Sequence, residues 1–179
     1  MGKSTEVALS YCAGFIDGEG CISIVKTDQR KKSNNVEYYY SRGFRLFLNM
    51  SITDSTKSLD YLVGALGGKT YVHARKTNMN RQVFSWYCDG NRALTAIKKI
   101  LPYLIIKKQE AILGIEFQNH INRNKVNTYR YGREYLYEER KEMYYKMKEL
   151  KKNRADVEHN SSENESSSDV PNQKEILET

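Results

Sequence analysis

The sequence lacks the features that mark secreted, membrane-spanning and zinc-binding proteins. Its three cysteines (Cys12, Cys21 and Cys88) stand singly, with no Cys-x-x-Cys pair and no histidine spaced to complete a zinc site. No apolar run approaches the ~18 residues of a membrane span, and the N-terminus carries no secretory apolar block. We therefore predict reduced thiols, an intracellular location and no membrane partner. The Lys-, Asn-, Tyr- and Ile-rich composition is typical of an A/T-rich genome, such as that of an organelle (chloroplast or mitochondrion) or a phage.

Positive charge is concentrated in the first part of the chain. The chain has 29 Lys and Arg residues, of which two lie in residues 153–179. It has 22 Asp and Glu residues, of which seven lie in the same segment. Residues 1–152 therefore hold 27 bases and 15 acids, a net charge of +12. A body this basic favours a polyanionic partner, because each phosphate that it neutralises releases counterions. The alternative is a lysine-rich surface that serves only solubility.

The hydrophobic pattern predicts an α+β fold with the element order α-β-β-α-β-β-α-α-α. The predicted helices span residues 4–18, 56–66, 91–100, 107–121 and 132–152. The predicted strands span residues 21–27, 36–53, 69–75 and 81–88, with a polar hairpin loop at 28–35. Four antiparallel strands should form one sheet, with the helices on one face. The tail, residues 153–179, is acidic and Ser-rich, has almost nothing to bury and is predicted to be disordered, which limits the domain to residues 1–152.

The most informative segment is Ser10–Ile24, SYCAGFIDGEGCISI, at the end of the first predicted helix. Gly14 and Gly18 are four residues apart, so they share one helical face on which another backbone can approach closely. Asp17 and Glu19 lie at the C-terminal end, where the helix dipole is already negative. Acids in this position need a compensating cation, and a divalent metal ion is a natural one. The alternative is a Gly-rich turn whose acids only cap a loop.

The segment Cys12–Gly20, CAGFIDGEG, resembles the motif of the LAGLIDADG homing endonucleases. It matches this motif at Ala13, Gly14, Ile16, Asp17 and Gly20, and it departs from it at Cys12, Phe15, Gly18 and Glu19. The predicted element order agrees with the αββαββα core of the family, so the resemblance covers roughly residues 7–120. It implies a four-stranded antiparallel DNA-binding sheet with the helices on one face. A single copy of the motif is typical of members that act as homodimers.

The resemblance implies a metal-dependent double-strand break, with 3′ overhangs, in a long and roughly palindromic DNA site. The motif helices of two subunits would pack through Ala13, Gly14, Asp17 and Gly18. The last acid of the motif falls on Glu19, which with the carbonyl of Gly18 would bind Mg²⁺, and Mn²⁺ or Ca²⁺ can occupy the same site. The metal ions would activate water and neutralise the leaving 3′ oxygen. Asp17 is assigned to holding the helix end.

Two further catalytic residues are implied by the resemblance. Leu104–Ala111 is similar to a family segment whose lysine stabilises the developing charge, which assigns that role to Lys107, or to Lys108 if the register slips by one. Either lysine can instead be a solvated helix start. Ser51–Asp54 resembles the site past the second strand where many members carry a polar residue, often Gln, that orders water. Asp54 stands there in this sequence, and it can equally cap the helix that follows.

DNA reading is expected to fall to the sheet, because a twisted antiparallel ribbon fits the major groove and its polar side chains can reach base edges. Tyr71, His73 and Arg75 are the first candidates, since their TYVHAR context resembles a base-contacting strand of the family. The other candidates lie on the remaining strands and on the hairpin loop: Arg81, Ser85, Asn49, Arg45, Arg42, Arg30, Lys31 and Lys32. Any one of these can instead be an ordinary exposed strand position. His73 is not assigned a catalytic or ligand role.

Two other functions are compatible with the same fold. An RNA maturase that assists the splicing of its own intron would keep the basic sheet and could dispense with metal chemistry. A DNA-binding protein without cleavage activity would ordinarily carry an additional DNA-binding domain, which the sequence does not reveal. The retention of Glu19 and Lys107 favours the endonuclease.

Overall fold

The computed structural model describes residues 3–27, 29–33, 36–41, 43–53, 56–73, 82–124 and 134–165. The helices are α1 (Lys3–Glu19), α2 (Lys57–Leu66), α3 (Gly90–Ile100), α4 (Lys108–Arg123) and α5 (Glu134–Glu165), with a 3-10 turn at Leu101–Tyr103. The strands are β1 (Gly20–Lys26), β2 (Gln29–Ser33), β3 (Val36–Ser41), β4 (Phe44–Thr53), β5 (Lys69–Val72) and β6 (Val83–Asp89).

A four-stranded antiparallel sheet forms the centre of the fold, with the strand order β1-β4-β6-β5. Alternate residues of β1 and of most of β4 are buried, as expected for a sheet that is covered on one face. The buried face carries Ile22 and Ile24 of β1, Leu46, Leu48 and Met50 of β4, and Trp86 and Cys88 of β6. The α+β fold predicted from the sequence is therefore confirmed.

The helices pack against this buried face through apolar stripes. The largest stripe belongs to α3, whose Ala93, Leu94, Ala96, Ile97 and Ile100 are all buried. Gly114 allows α4 to approach the sheet closely, because a Cβ at this position would lie 2.9 Å from Cδ1 of Leu46. The small thiol side chain of Cys12 fills part of the same core. None of the described helices is long and apolar enough to cross a membrane.

The second long strand, predicted over residues 36–53, is divided into β3 and β4 near Gly43. β2 lies within the predicted loop and pairs with β3, so these two strands make a hairpin that is separate from the larger sheet. The strand β2 has the sequence QRKKS, which has no apolar side chain to alternate with the polar ones. Periodicity cannot identify a strand of that kind, because it detects only the burial of one face.

The last helix extends beyond the predicted domain end at residue 152 and continues to Glu165. Nε of Arg154 lies 3.0 Å from Oε1 of Glu110, whose side chain is buried on α4. Nζ of Lys151 donates to Sγ of Cys21 at 2.9 Å. A buried carboxylate such as that of Glu110 needs a positively charged partner. Its partner, Arg154, lies in the segment that was predicted from composition to be disordered. The disorder prediction is therefore wrong for residues 153–165, and residues 166–179 lie outside the described part of the chain.

Candidate functional site

The C-terminal end of α1 is held by residues 105–107. One carboxylate oxygen of Asp17 accepts hydrogen bonds from the backbone N–H groups of Ile105 (2.7 Å) and Ile106 (3.2 Å). The other oxygen accepts one from the backbone N–H of Lys107 at 2.9 Å. The ammonium of Lys107 in turn donates to the carbonyl of Ile16 at 2.9 Å and to the carbonyl of Asp17. These donors compensate the negative end of the helix dipole.

Asp17 therefore holds the helix end, and the cation that accompanies it is a lysine rather than the metal ion that the dipole argument suggested. The side chain of Lys107 is only 4% exposed. Burial and the neighbouring Arg154 lower the pKa of this lysine, while Asp17 and Glu110 act in the opposite direction. Its catalytic role stays a prediction, because its ammonium is directed at helix carbonyls. The alternative, Lys108, is exposed at the first position of α4.

Two of the four residues predicted at a dimer interface face their own chain. Ala13 is fully buried in the core between α1 and the rest of the protomer. Asp17 is also buried and directs its carboxylate at residues 105–107. The assignment of Ala13 and Asp17 to the interface is therefore wrong. The helix is apolar on most sides, so the sequence did not distinguish the side that faces the core from the side that faces outward.

The other two predicted interface residues lie on an exposed face of α1. A Cβ added to Gly14 or to Gly18 would meet no atom within 4 Å. Together with Val7 and Tyr11, which are both exposed, they form the α1 stripe (Val7, Tyr11, Gly14, Gly18). The spacings of four, three and four residues place the stripe on one helical face.

Further exposed apolar side chains lie beside the α1 stripe. Ile105, which is 85% exposed, and Ile106 precede the lysine that clamps the end of α1. The ring of Tyr61 on α2 meets the ring of Tyr11 edge-on, at a centroid distance of 5.2 Å. Exposed apolar side chains that lie close together are typical of an interaction site.

An open cleft lies at the end of α1. Glu19, Ser51, Ile52, Thr53 and Val83 line it, and its volume is about 510 Å³. The carboxylate and the two hydroxyl groups are hard oxygen donors of the type that Mg²⁺ prefers. Among the described residues, no group of three or more His, Cys, Asp and Glu side chains could hold a metal ion. Within the described part of the chain, Glu19 is therefore not part of a cluster of such side chains.

The water-ordering residue predicted near the cleft, Asp54, lies outside the described residues. Ser51 and Thr53 do line the cleft, although no role was predicted for either side chain. Their signal was the alternation of β4, because residues two apart on a strand point to the same face. Asn49, which was assigned to that face, is two residues before Ser51.

The face of the sheet opposite the helices is the open face, and it carries those predicted DNA contacts that the structure describes. Arg45 is exposed and forms an ion pair of 2.8 Å with Asp89. Asn49 is half-buried, whereas Tyr71 and His73 are exposed. This face is polar at the positions that were predicted to reach base edges.

Ser85 is an exception among the predicted contacts. It is only 2% exposed. Its Oγ lies 2.6 Å from Nε2 of His73 and 2.6 Å from Oγ of Ser51. Its hydroxyl is thus already engaged within the chain, and its assignment to DNA binding stays a prediction.

The remaining predicted contacts cannot be located in the same way. Arg42, Arg75 and Arg81 lie outside the described residues. Arg30, Lys31 and Lys32 lie on β2, and their side chains are outside the described part of the chain.

Residues 12–115 match the family described as LAGLIDADG endonuclease. No curated protein matches the chain. Among solved structures, it is similar to the homing endonuclease I-CvuI in complex with the I-CreI target in the presence of Mg, with a TM-score of 0.64 and 18% identity over 83% of this chain and 85% of that one. It is also similar to the archaeal intron-encoded homing endonuclease I-Vdi141I complexed with DNA, with a TM-score of 0.59 and 16% identity over 81% and 84% of the two chains. These likenesses show the fold, and the family match covers more than half of the sequence. The chain therefore belongs to the LAGLIDADG endonuclease family.

Proposed function

We propose that this chain is a homodimeric, divalent-metal-dependent endonuclease that makes a double-strand break with 3′ overhangs in a long, roughly palindromic DNA site. The observation that carries the proposal is the position of Glu19 at the end of α1. This carboxylate is exposed in an open cleft and makes no hydrogen bond or ion pair with another described residue. The other acid of the motif, Asp17, is already engaged by backbone donors. Glu19 is thus the acid that is available for a ligand.

Glu19 and the carbonyl oxygen of Gly18 would hold the divalent ion, Mg²⁺ in the first place, with Mn²⁺ or Ca²⁺ as substitutes. When bound, such an ion supplies an activated water molecule and neutralises the leaving 3′ oxygen. The hydroxyl groups of Ser51 and Thr53 beside Glu19 can orient water in the cleft, since each hydroxyl both donates and accepts. The structures of I-CvuI in complex with DNA are in the presence of Mg or Ca, which supports this choice of ions.

Lys107 contributes through the backbone of α1. Its ammonium donates to the carbonyl groups of Ile16 and Asp17, directly before the proposed ligands Gly18 and Glu19. A donor fixed at this point holds the end of the helix in one position, which is what a metal ligand on that end requires. The burial of Lys107 excludes water from these bonds.

The second copy of the chain would pack against the α1 stripe. Because Gly14 and Gly18 have no side chain, two α1 helices can approach closely along this face. The contact would bring the two Glu19 side chains near each other, where each could serve one DNA strand. A two-fold dimer would also set one open sheet face against each half of a palindromic site.

The proposal is tested with DNA recovered by selecting cleaved molecules from a randomised duplex library in the presence of Mg²⁺. A plasmid that carries the recovered site should be linearised by the wild-type protein. Glu19→Gln should bind the site but not cut it, because an amide is a poor metal ligand. Glu116→Gln, an exposed acid on α4, is the matched control and should cut normally.

Undiminished cutting by Glu19→Gln would refute the assignment. Binding of the duplex without cutting in any divalent cation would instead indicate a DNA-binding protein that lacks nuclease activity. Preference for its own intron RNA over duplex DNA would indicate a maturase.

A further inference from the structure

Three aromatic rings lie together on the open face of the sheet. The rings of Phe47 on β4 and Tyr87 on β6 stack at a centroid distance of 5.7 Å and an angle of 26°. The ring of Tyr71 on β5 meets that of Tyr87 edge-on at 5.6 Å. We name these three residues the aromatic patch (Phe47, Tyr71, Tyr87).

The aromatic patch is not part of the core between the sheet and the helices. Phe47 alternates with the buried residues Leu46 and Leu48, and Tyr87 lies between the buried residues Trp86 and Cys88. Because side chains alternate along a strand, the three rings project to the opposite side. Tyr71 is 45% exposed. The patch is thus an apolar surface on the face that the proposed function assigns to DNA.

Polar groups lie on both sides of the aromatic patch. The ion pair of Arg45 and Asp89 lies at one end, since Asp89 is directly opposite Phe47 in the sheet. The hydrogen bonds of Ser85 to Ser51 and His73 lie at the other end. The open face therefore presents an apolar centre between two sets of polar groups.

The chemistry of the major groove restricts what an apolar centre can recognise. The floor of the major groove presents hydrogen-bond donors and acceptors, and its one apolar substituent is the 5-methyl group of thymine. A ring placed over a donor or an acceptor would desolvate that group without replacing its hydrogen bond, which weakens binding. A ring placed over the methyl group buries apolar surface on both partners, which strengthens it.

We propose that the aromatic patch reads thymine through its 5-methyl group, so that each half-site carries thymine where it faces Phe47 and Tyr87. This inference rests on the proposed function, because it requires duplex DNA on the open face. Burial of one methyl group corresponds to a factor of about four in affinity. A homodimer makes the contact twice, so the loss of both methyl groups should weaken binding by a factor of about 16.

The probe for the test is the duplex recovered by selection from the randomised library, resynthesised with uracil in place of thymine at one symmetric pair of positions at a time. Uracil differs from thymine only by the missing 5-methyl group. Binding is measured in Ca²⁺. The wild-type protein should lose affinity by roughly ten- to twentyfold at one or two such pairs. At these pairs, Phe47→Ala should bind the thymine and uracil duplexes equally.

The matched control is Tyr87→Phe, which keeps the ring and removes only the hydroxyl group. It should discriminate between thymine and uracil as the wild type does. Tyr71→Ala provides a second test should Phe47→Ala fail to fold, because Tyr71 is the most exposed of the three rings. It should reduce the discrimination at the same positions.

The inference is overturned if no thymine-to-uracil change weakens wild-type binding more than about twofold, or if Phe47→Ala and Tyr71→Ala both keep the full discrimination. If the protein binds and cuts its site but ignores the methyl group, the inference fails and the proposed function stands. If no duplex DNA is bound at all, both fail together.

Discussion

The backbone nitrogen of Lys107 lies 2.9 Å from the carboxylate of Asp17, while the ammonium of the same lysine donates to the carbonyl of Asp17. Two residues that are 90 positions apart are thus joined by two hydrogen bonds, one to the side chain and one to the backbone of Asp17. The end of α1, and Glu19 with it, is positioned by a segment that lies far away in the sequence. Substitutions at either partner should affect the position of Glu19.

Asp17→Asn is expected to lower the free energy of unfolding by about 2–4 kcal/mol. The carboxylate accepts hydrogen bonds from three backbone N–H groups. An amide has only one accepting oxygen, and its NH₂ group would face at least one of these N–H donors. Urea unfolding at one fixed protein concentration measures the difference. Glu149→Gln, an exposed acid on α5, is the control and should change the value by less than about 0.5 kcal/mol. Equal unfolding midpoints for Asp17→Asn and the wild type would show that the hydrogen bonds of the Asp17 carboxylate contribute nothing to stability.

Lys107→Met is expected to alter the dependence of stability on alkaline pH. Burial first, and Arg154 second, lower the pKa of Lys107 from its ordinary value of 10.5. Between the lowered value and 10.5, the unfolded chain binds more protons at this residue than the folded chain. The free energy of unfolding therefore rises as the pH increases from the lowered pKa of Lys107 to 10.5. It falls again as the pH decreases through the same range. Methionine does not titrate, so the variant should lack this rise when unfolding free energies are compared across the window. Parallel pH profiles would contradict the expectation.

Gly14→Leu is expected to dissociate the proposed homodimer without unfolding the protomer. A Cβ at this position would meet no atom within 4 Å, and leucine favours the helix over glycine by about 0.8 kcal/mol. Analytical ultracentrifugation gives the oligomeric state, and thermal unfolding gives the stability of the protomer. Ala155→Leu introduces the same side chain at an exposed position of α5 and should leave the dimer intact. A dimer of wild-type strength in Gly14→Leu would exclude the α1 stripe as the interface.

Truncation after residue 152 is expected to destabilise the protein, because it removes Arg154 and leaves the carboxylate of Glu110 buried without that partner. Loss of one member of a buried ion pair typically costs about 3–5 kcal/mol, and the partial exposure of Arg154 reduces the expected loss to about 2 kcal/mol. Truncation after Glu165 is the matched control, since it keeps the described part of α5.

Chemical denaturation compares the two shortened chains. In the shorter one, Glu110→Gln should recover part of the loss, because a neutral amide is less costly to bury than a carboxylate. Equal stability of both truncated chains would mean that α5 beyond residue 152 adds nothing to the fold.

The parts of the fold that depend on local patterns could be predicted from the sequence. Alternation along the predicted strand 81–88 places Phe84, Trp86 and Cys88 on one face, and in the structure Trp86 and Cys88 are buried while Phe84 packs against the core. The contacts of Ser85 could not be predicted, because they depend on the register that places it opposite Ser51. A register between strands that are distant in sequence has no local signature.

The motif located the important residues of the candidate site but not their mutual contacts. Asp17 and Lys107 were each singled out, yet no spacing rule relates two positions so far apart in the chain. Ala13 was misassigned for a similar reason. An apolar helix offers several sides for burial, and only the packing of the other elements selects the one that faces the core.

The hairpin formed by β2 and β3 can change in length without disturbing the rest of the fold. Its strands pair with each other, and the pairing of β1 with β4 begins only at Lys26 and Phe44, after the hairpin has closed. Residues can therefore be inserted into or removed from this arm without shifting any partner in the larger sheet. We therefore expect that evolution can lengthen, shorten or replace this hairpin while the end of α1 is inherited unaltered.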